Sequence, residues 1–65
     1  MGMNRHEVID IMIETVNAYN VNLMKQTKMS DSDIQKNIDG QYPALQHMFG
    51  LIYDDLEVKG AFNSN

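Results

Sequence analysis

Residues 4–28 contain no proline and no glycine, and their apolar side chains recur at intervals of three and four. At an advance of about 100° per residue, the recurring positions fall within an arc of roughly 140° on a helical wheel. They are Ile9, Met12, Ile13, Val16, Tyr19, Asn20, Leu23 and Met24. The segment is therefore predicted to be one long amphipathic helix, with Asn4 as its N-cap and Glu7 as the partner in a capping box.

A short second helix is predicted over residues 31–39. The joint before it, residues 29–33, is rich in Ser and Asp, which cap helices well and propagate them poorly. Ser30 or Ser32 can serve as the N-cap. The Asp39-Gly40 pair then indicates that the helix stops.

A third helix is predicted over residues 43–59. Pro43 suits the first helical position, because its missing N–H has no partner there, and Gly60 suits the position just after the end. Its apolar strip is formed by Leu45, Met48, Phe49, Ile52 and Leu56. The alternative is one long helix from residue 31 to 59 with a kink between residues 40 and 43.

These elements predict a single all-α domain over residues 1–65, a three-helix subunit with a frayed tail at residues 61–65. A chain of 65 residues buries too little surface for a strong core, and small domains usually need an extra source of stability. The chain has no cysteine and two histidines, so disulfides and a closed zinc site are excluded. Dimerisation into a helical bundle is the expected additional source of stability.

The predicted dimer interface lies on the first helix. Val8 and Ile11 form a second, smaller apolar patch outside the main strip, which a lone subunit would leave in water. Asn20 interrupts the strip, and a core asparagine can fix oligomer order by pairing with its symmetry mate. The expected interface residues are Val8, Ile11, Ile13, Val16, Asn20 and Leu23.

The charge balance narrows the class of partner. Nine carboxylates against five Lys and Arg give a formal net charge of −4, which opposes binding to phosphate backbones and anionic lipid. No apolar run approaches the ~20 residues that span a bilayer, and the amino end has no apolar signal region. A cytoplasmic protein without direct nucleic-acid or membrane contact is expected.

The sequence contains no arrangement typical of catalysis. His47 and Asp54 are seven residues apart on a helix, roughly 10 Å along its axis, which is too far for direct proton transfer. There is no HExxH motif, no Glu-x-x-His pair and no glycine-rich phosphate loop. We therefore expect no enzymatic activity, no metal and no cofactor.

Residues 33–48 resemble a degraded helix-turn-helix unit. Ile34, Ile38, Leu45 and Met48 occupy the positions where that motif keeps apolar residues, and Gly40 sits at the turn. The second helix of this unit begins with residues 42–47, which contain no Lys or Arg for phosphate or guanine. The resemblance implies a shape used on protein rather than on DNA.

The expected function is that of a small acidic adaptor or inhibitor of a host or cellular protein, of the kind found in phages and plasmids. A repressor or another nucleic-acid-handling protein would offer the basic surface it needs. Two alternatives are a helix-turn-helix transcription regulator and an oligomer that sequesters a small ligand near Tyr42, His47 and Tyr53. The expected partner-binding residues are Tyr42, His47, Tyr53, Asp54, Asp55 and Glu57.

Overall fold

The computed structural model describes residues 2–62, which form two α-helices joined by residues 27–30. Helix α1 comprises Arg5–Gln26 and helix α2 comprises Asp31–Val58. The helices pack antiparallel as a hairpin measuring 48 × 18 × 17 Å. The predicted all-α class is confirmed, whereas the three-helix subunit is wrong because the chain folds as a two-helix hairpin.

Helix α1 begins as the sequence predicts. The Asn4 side-chain oxygen accepts a hydrogen bond from the Glu7 N–H at 2.9 Å, which satisfies one of the free donors of the first turn. The helix ends at Gln26 rather than at residue 28. After it, Lys28 adopts a left-handed conformation with φ of 61°, and the Met29 N–H reaches back to the Met24 carbonyl at 3.2 Å.

The conformation of Lys28 predicts a stabilising substitution. A left-handed residue after a helix is usually glycine, because a side chain there crowds the backbone. Lys28→Gly is expected to raise the free energy of unfolding by roughly 0.5–1 kcal/mol. Urea denaturation measures it, with Lys25→Gly, inside the helix, as the control that should lose a similar amount. Equal losses in both variants would contradict the left-handed assignment.

The prediction of separate second and third helices is wrong, because α2 is one continuous helix over nearly the bounds of the alternative, residues 31–59. Its N-cap is Ser30, whose hydroxyl accepts from the Asp33 N–H at 3.2 Å, one of the two predicted caps. The helix then continues through Gly40 and Pro43. Both residues were predicted at a boundary, because glycine costs about 1 and proline about 3 kcal/mol inside a helix. Packing along the 22-residue partner helix α1 outweighs that local cost.

Helix α2 ends as predicted, with Gly60 in a left-handed conformation of φ 80°. The Ala61 N–H returns to the Leu56 carbonyl at 2.9 Å, as in a Schellman motif. The turn brings Phe62 onto Tyr53, and the two rings stack with centroids 4.7 Å apart. Phe62 is thus ordered against α2, while the rest of the predicted frayed tail, residues 63–65, lies outside the described residues.

The core of the hairpin is small. The buried apolar side chains of the described residues are Ile9, Ile13, Ile34 and Tyr53. Val8, Leu45 and Phe49 pack against this core. Much of the predicted strip on α1 stays outside it, because one partner helix covers a narrower arc than 140°. Tyr19 is 65% exposed and Leu23 is 43% exposed.

Candidate protein-binding surfaces

One end of the hairpin carries the net charge of the protein. Antiparallel packing brings the amino half of α1 beside the carboxyl half of α2, and we call residues 5–15 and 46–59 the acidic end. It contains six of the nine carboxylates and two of the five Lys and Arg side chains, so the formal charge of −4 resides there. Its carboxylates belong to Glu7, Asp10, Glu14, Asp54, Asp55 and Glu57.

An ion pair between Arg5 and Asp54 joins the two helices at this end. The Arg5 guanidinium donates from Nε to one Asp54 oxygen at 2.9 Å and from Nη2 to the other at 3.2 Å. The Arg5 guanidinium carbon also lies 5.9 Å from the centroid of the Tyr53 ring. Gly50 makes room, since a Cβ there would lie 2.9 Å from Arg5 Nη2. Neither Arg5 nor Gly50 was predicted as part of this surface.

The ion pair shifts the titration of both partners. The hydrogen bonds from Arg5 hold the pKa of Asp54 below its usual range, and the charge of Arg5 adds to the effect. The same hydrogen bonds, with the charge of Asp54, raise the pKa of Arg5. Both groups are exposed, so solvent screens the pair and its contribution to stability is modest.

The lowered pKa of Asp54 gives a pH-dependent prediction. A carboxyl group whose pKa is depressed in the folded state stabilises the protein above its unfolded pKa, and the stabilisation disappears as the pH falls through the folded value. Wild type is therefore expected to be more stable than Asp54→Asn at neutral pH, with the difference vanishing in acid below about pH 4. Thermal unfolding at several pH values measures it. A difference that persists or grows in acid would contradict the pairing.

The other carboxylates of the acidic end are less well neutralised. Lys59 Nζ lies 2.8 Å from Asp55, and His6 Nε2 lies 3.1 Å from Asp10. Among the described residues, no Lys or Arg side chain lies within 4.0 Å of the carboxylates of Glu7, Glu14 or Glu57. These three carboxylates are exposed side chains of α1 and α2.

The predicted partner-binding residues are distributed along α2 instead of forming one cluster. Tyr42 and Glu57 lie on one helix, about 22 Å apart along its axis. Tyr53 is buried in the core, whereas His47 is exposed. Asp54, Asp55 and Glu57 lie together at the acidic end. Residues 2–62 enclose no pocket. Helix α2 is continuous at Gly40, where the turn of the helix-turn-helix unit was predicted.

The predicted dimer-interface residues occupy different environments. Ile13 is only 2% exposed, because it packs inside the hairpin, whereas Ile11 is 46% exposed. Val8 and Val16 are half-buried, and Leu23 is exposed. Asn20 donates a long hydrogen bond of 3.5 Å to the Gln41 side chain of α2. The Asn20 amide thus has a hydrogen-bond partner on α2.

A neighbouring asparagine, Asn17, has a buried side-chain oxygen without a hydrogen-bond partner among the described residues. An unsatisfied buried acceptor costs about 1–3 kcal/mol. Asn17→Leu is expected to raise the free energy of unfolding by about 1 kcal/mol, because leucine removes that acceptor and favours helix. Urea denaturation tests this, with Asn22→Leu, an exposed position of α1, as the control that gains only the helix propensity of leucine, within about 0.5 kcal/mol. Destabilisation by Asn17→Leu alone would mean that the amide is satisfied in solution.

Residues 2–62 hold no group of three or more His, Asp or Glu side chains placed to bind one metal ion. Over the same residues, neither helix combines the length and apolar character needed to cross a bilayer.

Comparison of the chain with protein-family models, curated proteins and solved structures finds no match.

Proposed function

We infer that the protein is a small non-enzymatic regulator, an adaptor or inhibitor, that binds a basic surface of another protein through its acidic end. The observation that carries this proposal is the asymmetry of charge along the hairpin. The acidic end has a formal charge of −4. The other half, which contains the connecting residues 27–30, has three carboxylates and three lysines and is therefore neutral. A partner with a basic patch would therefore meet one end of the hairpin and not the other.

Electrostatics favour such an orientation. Charges on one end of a 48 Å hairpin lie well beyond the Debye length of about 8 Å at physiological salt from the opposite end. A positively charged patch would thus sense the acidic end alone, which speeds association and selects the orientation of approach. Such binding weakens as salt is added.

The helical setting of the carboxylates suits recognition of arginine. Glu7, Asp10 and Glu14 recur at intervals of three and four on α1, so they share one side of that helix. Carboxylates accept paired hydrogen bonds from guanidinium groups, and these bonds are stronger than neutral ones. Repressors and other nucleic-acid-handling proteins carry basic patches of this kind. The protein would act on them in the cytoplasm, as a phage or plasmid regulator does.

Matched charge variants test the proposal. Glu7→Gln with Glu14→Gln removes two negative charges from the acidic end. Asn22→Lys with Gln26→Lys produces the same net charge near the joint and leaves the acidic end intact. The tagged wild-type chain is used to capture proteins from a lysate of the source cells, and the affinity for the captured protein is then measured at two salt concentrations.

The first variant is expected to weaken binding by about tenfold, or about 1.4 kcal/mol, and to reduce the salt dependence. The second variant should bind like wild type to within about threefold. Equal losses in both variants would show that net charge alone matters. Unchanged binding by both would place the binding surface elsewhere and overturn the proposal.

A further inference from the structure

A band of apolar side chains remains exposed along one side of the hairpin. Tyr19 and Leu23 of α1 are 65% and 43% exposed, and Met48 and Ile52 of α2 are 47% and 42% exposed. Met12 of α1, which falls between Tyr19 and Leu23 on the helical wheel, is half-buried. We call Met12, Tyr19, Leu23, Met48 and Ile52 the apolar face.

Helix geometry places both parts of this face on the same side of the molecule. On a helical wheel with about 100° per residue, the apolar-face residues of each helix have smaller angles than the buried residues that contact the other helix. Because the helices are antiparallel, a decrease in angle is a clockwise rotation in one helix and a counterclockwise rotation in the other when the hairpin is viewed along its axis. The two rotations, each starting from the contact between the helices, therefore lead to the same side of the hairpin.

The dimensions of the chain indicate how much surface is left to cover. It exposes 5107 Å², against about 4,200 Å² for a compact monomer of the same mass. A compact dimer of twice this mass would expose about 7,000 Å², so each chain would bury about 1,600 Å² on forming it, within the range of obligate homodimers. The radius of gyration is 14.6 Å, whereas a compact chain of this length has about 11 Å. The hairpin is thus extended for its length, and a second copy on its exposed side would supply the missing burial.

We propose that a second copy of the chain covers the apolar face in antiparallel orientation, forming a four-helix bundle. The charge distribution decides the orientation. A parallel dimer would place two acidic ends of −4 side by side. An antiparallel dimer places each acidic end beside the neutral half of its partner, with the two acidic ends separated by about half the hairpin length, beyond the Debye length of roughly 8 Å.

The antiparallel arrangement fixes which helices meet. A two-fold axis across the middle of the hairpin sets α1 against α1 of the partner and α2 against its counterpart. The middle of α1, Arg5–Gln26, lies between residues 15 and 16, so Met12 of one chain faces Tyr19 of the other. A parallel dimer would instead set Met12 against α2, near Met48. The bundle also leaves an acidic end at each extremity, so the dimer could engage two target molecules.

The molar mass in solution is the first test. Sedimentation equilibrium at micromolar concentrations is expected to give twice the chain mass of 7.5 kDa. Ile52→Glu should shift the protein to monomer, because it places a charge within the apolar face. Leu51→Glu is the matched control, since Leu51 is also exposed, at 59%, but points about 100° away from Ile52; it should remain a dimer.

Cysteine cross-linking tests the orientation without relying on a folded monomer. The chain has no cysteine, so each introduced thiol is unique. Mixed Met12→Cys and Tyr19→Cys chains should form a disulfide heterodimer under mild oxidation. Mixed Met12→Cys and Met48→Cys chains should cross-link at least tenfold less. The reverse preference would establish a parallel dimer and overturn the antiparallel proposal.

A wild-type chain that sediments at 7.5 kDa would overturn the dimer altogether. Dissociation by Leu51→Glu with Ile52→Glu still dimeric would show that the interface is not the apolar face and would overturn the proposed packing. The outcome is separable from the proposed function. The Glu7→Gln with Glu14→Gln variant leaves the apolar face unchanged and should keep the dimer mass while losing its basic partner.

Discussion

Replacing Ile13 with alanine is expected to remove most of the free energy of unfolding of the hairpin, so that its cooperative unfolding transition is largely lost. Ile13 is 2% exposed and lies in the core beside Ile9 and Tyr53. Truncation of a buried isoleucine to alanine costs about 2–5 kcal/mol, through lost burial and the cavity left behind. A single core in a chain of this size rarely contributes more than about 3–5 kcal/mol. One substitution would thus remove nearly all of the stability.

Circular dichroism during urea and thermal denaturation measures this loss, with all variants at the same concentration because self-association would add to stability. Leu51→Ala is the control, since Leu51 is 59% exposed and alanine favours helix, so a change within about 0.5 kcal/mol is expected. Ile13→Ala retaining a sharp transition within a few degrees of wild type would show that the core lies elsewhere.

The sequence predicts α1 well because the signals there are local. An N-cap, a capping residue three positions later and an unbroken apolar period all refer to neighbours in the chain. The cap at Asn4 and the helix itself are found in the structure. The last two predicted residues are not helical, because Lys28 adopts the left-handed conformation that closes the end.

The continuity of α2 could not be predicted from these local signals. Gly40 and Pro43 are both unfavourable inside a helix, and each has a natural role at a helix end. Their cost is offset only by contacts with α1, whose last residue is 14 positions before Gly40 in sequence. Local rules that weigh each residue against its neighbours therefore predict a break, and tertiary packing overrides them.

The acidic end shows the same division between local and distant information. Its acidic residues are visible in the sequence, and Asp54, Asp55 and Glu57 were predicted to bind a partner. The intramolecular partner of Asp54 was not predicted, because Arg5 is 49 residues away in sequence. The space that Gly50 leaves for the Arg5 guanidinium could not be predicted either, because it depends on how the two helices pack. The gathering of charge at one end follows from antiparallel topology and not from composition.

Pro43→Ala is expected to raise the free energy of unfolding by about 2–3 kcal/mol, the largest gain that one substitution offers in this chain. Pro43 lies inside α2, where it has no N–H for the carbonyl of Asp39 and its ring crowds that carbonyl. Alanine restores the hydrogen bond at the best intrinsic helix propensity. Part of the gain is lost because alanine leaves the unfolded chain freer than proline does.

Thermal and urea denaturation would show the gain, at roughly 4–8 °C in melting temperature per kcal/mol for a domain of this size. Gly40→Ala is the companion variant, because a Cβ there meets nothing within 4 Å; it should add about 1 kcal/mol. If residues 39–43 formed a turn between two helices, proline and glycine would be favourable there and both substitutions would be neutral or destabilising. Gains from both would establish one continuous helix, so the effect of Pro43→Ala decides between the two topologies that the sequence left open.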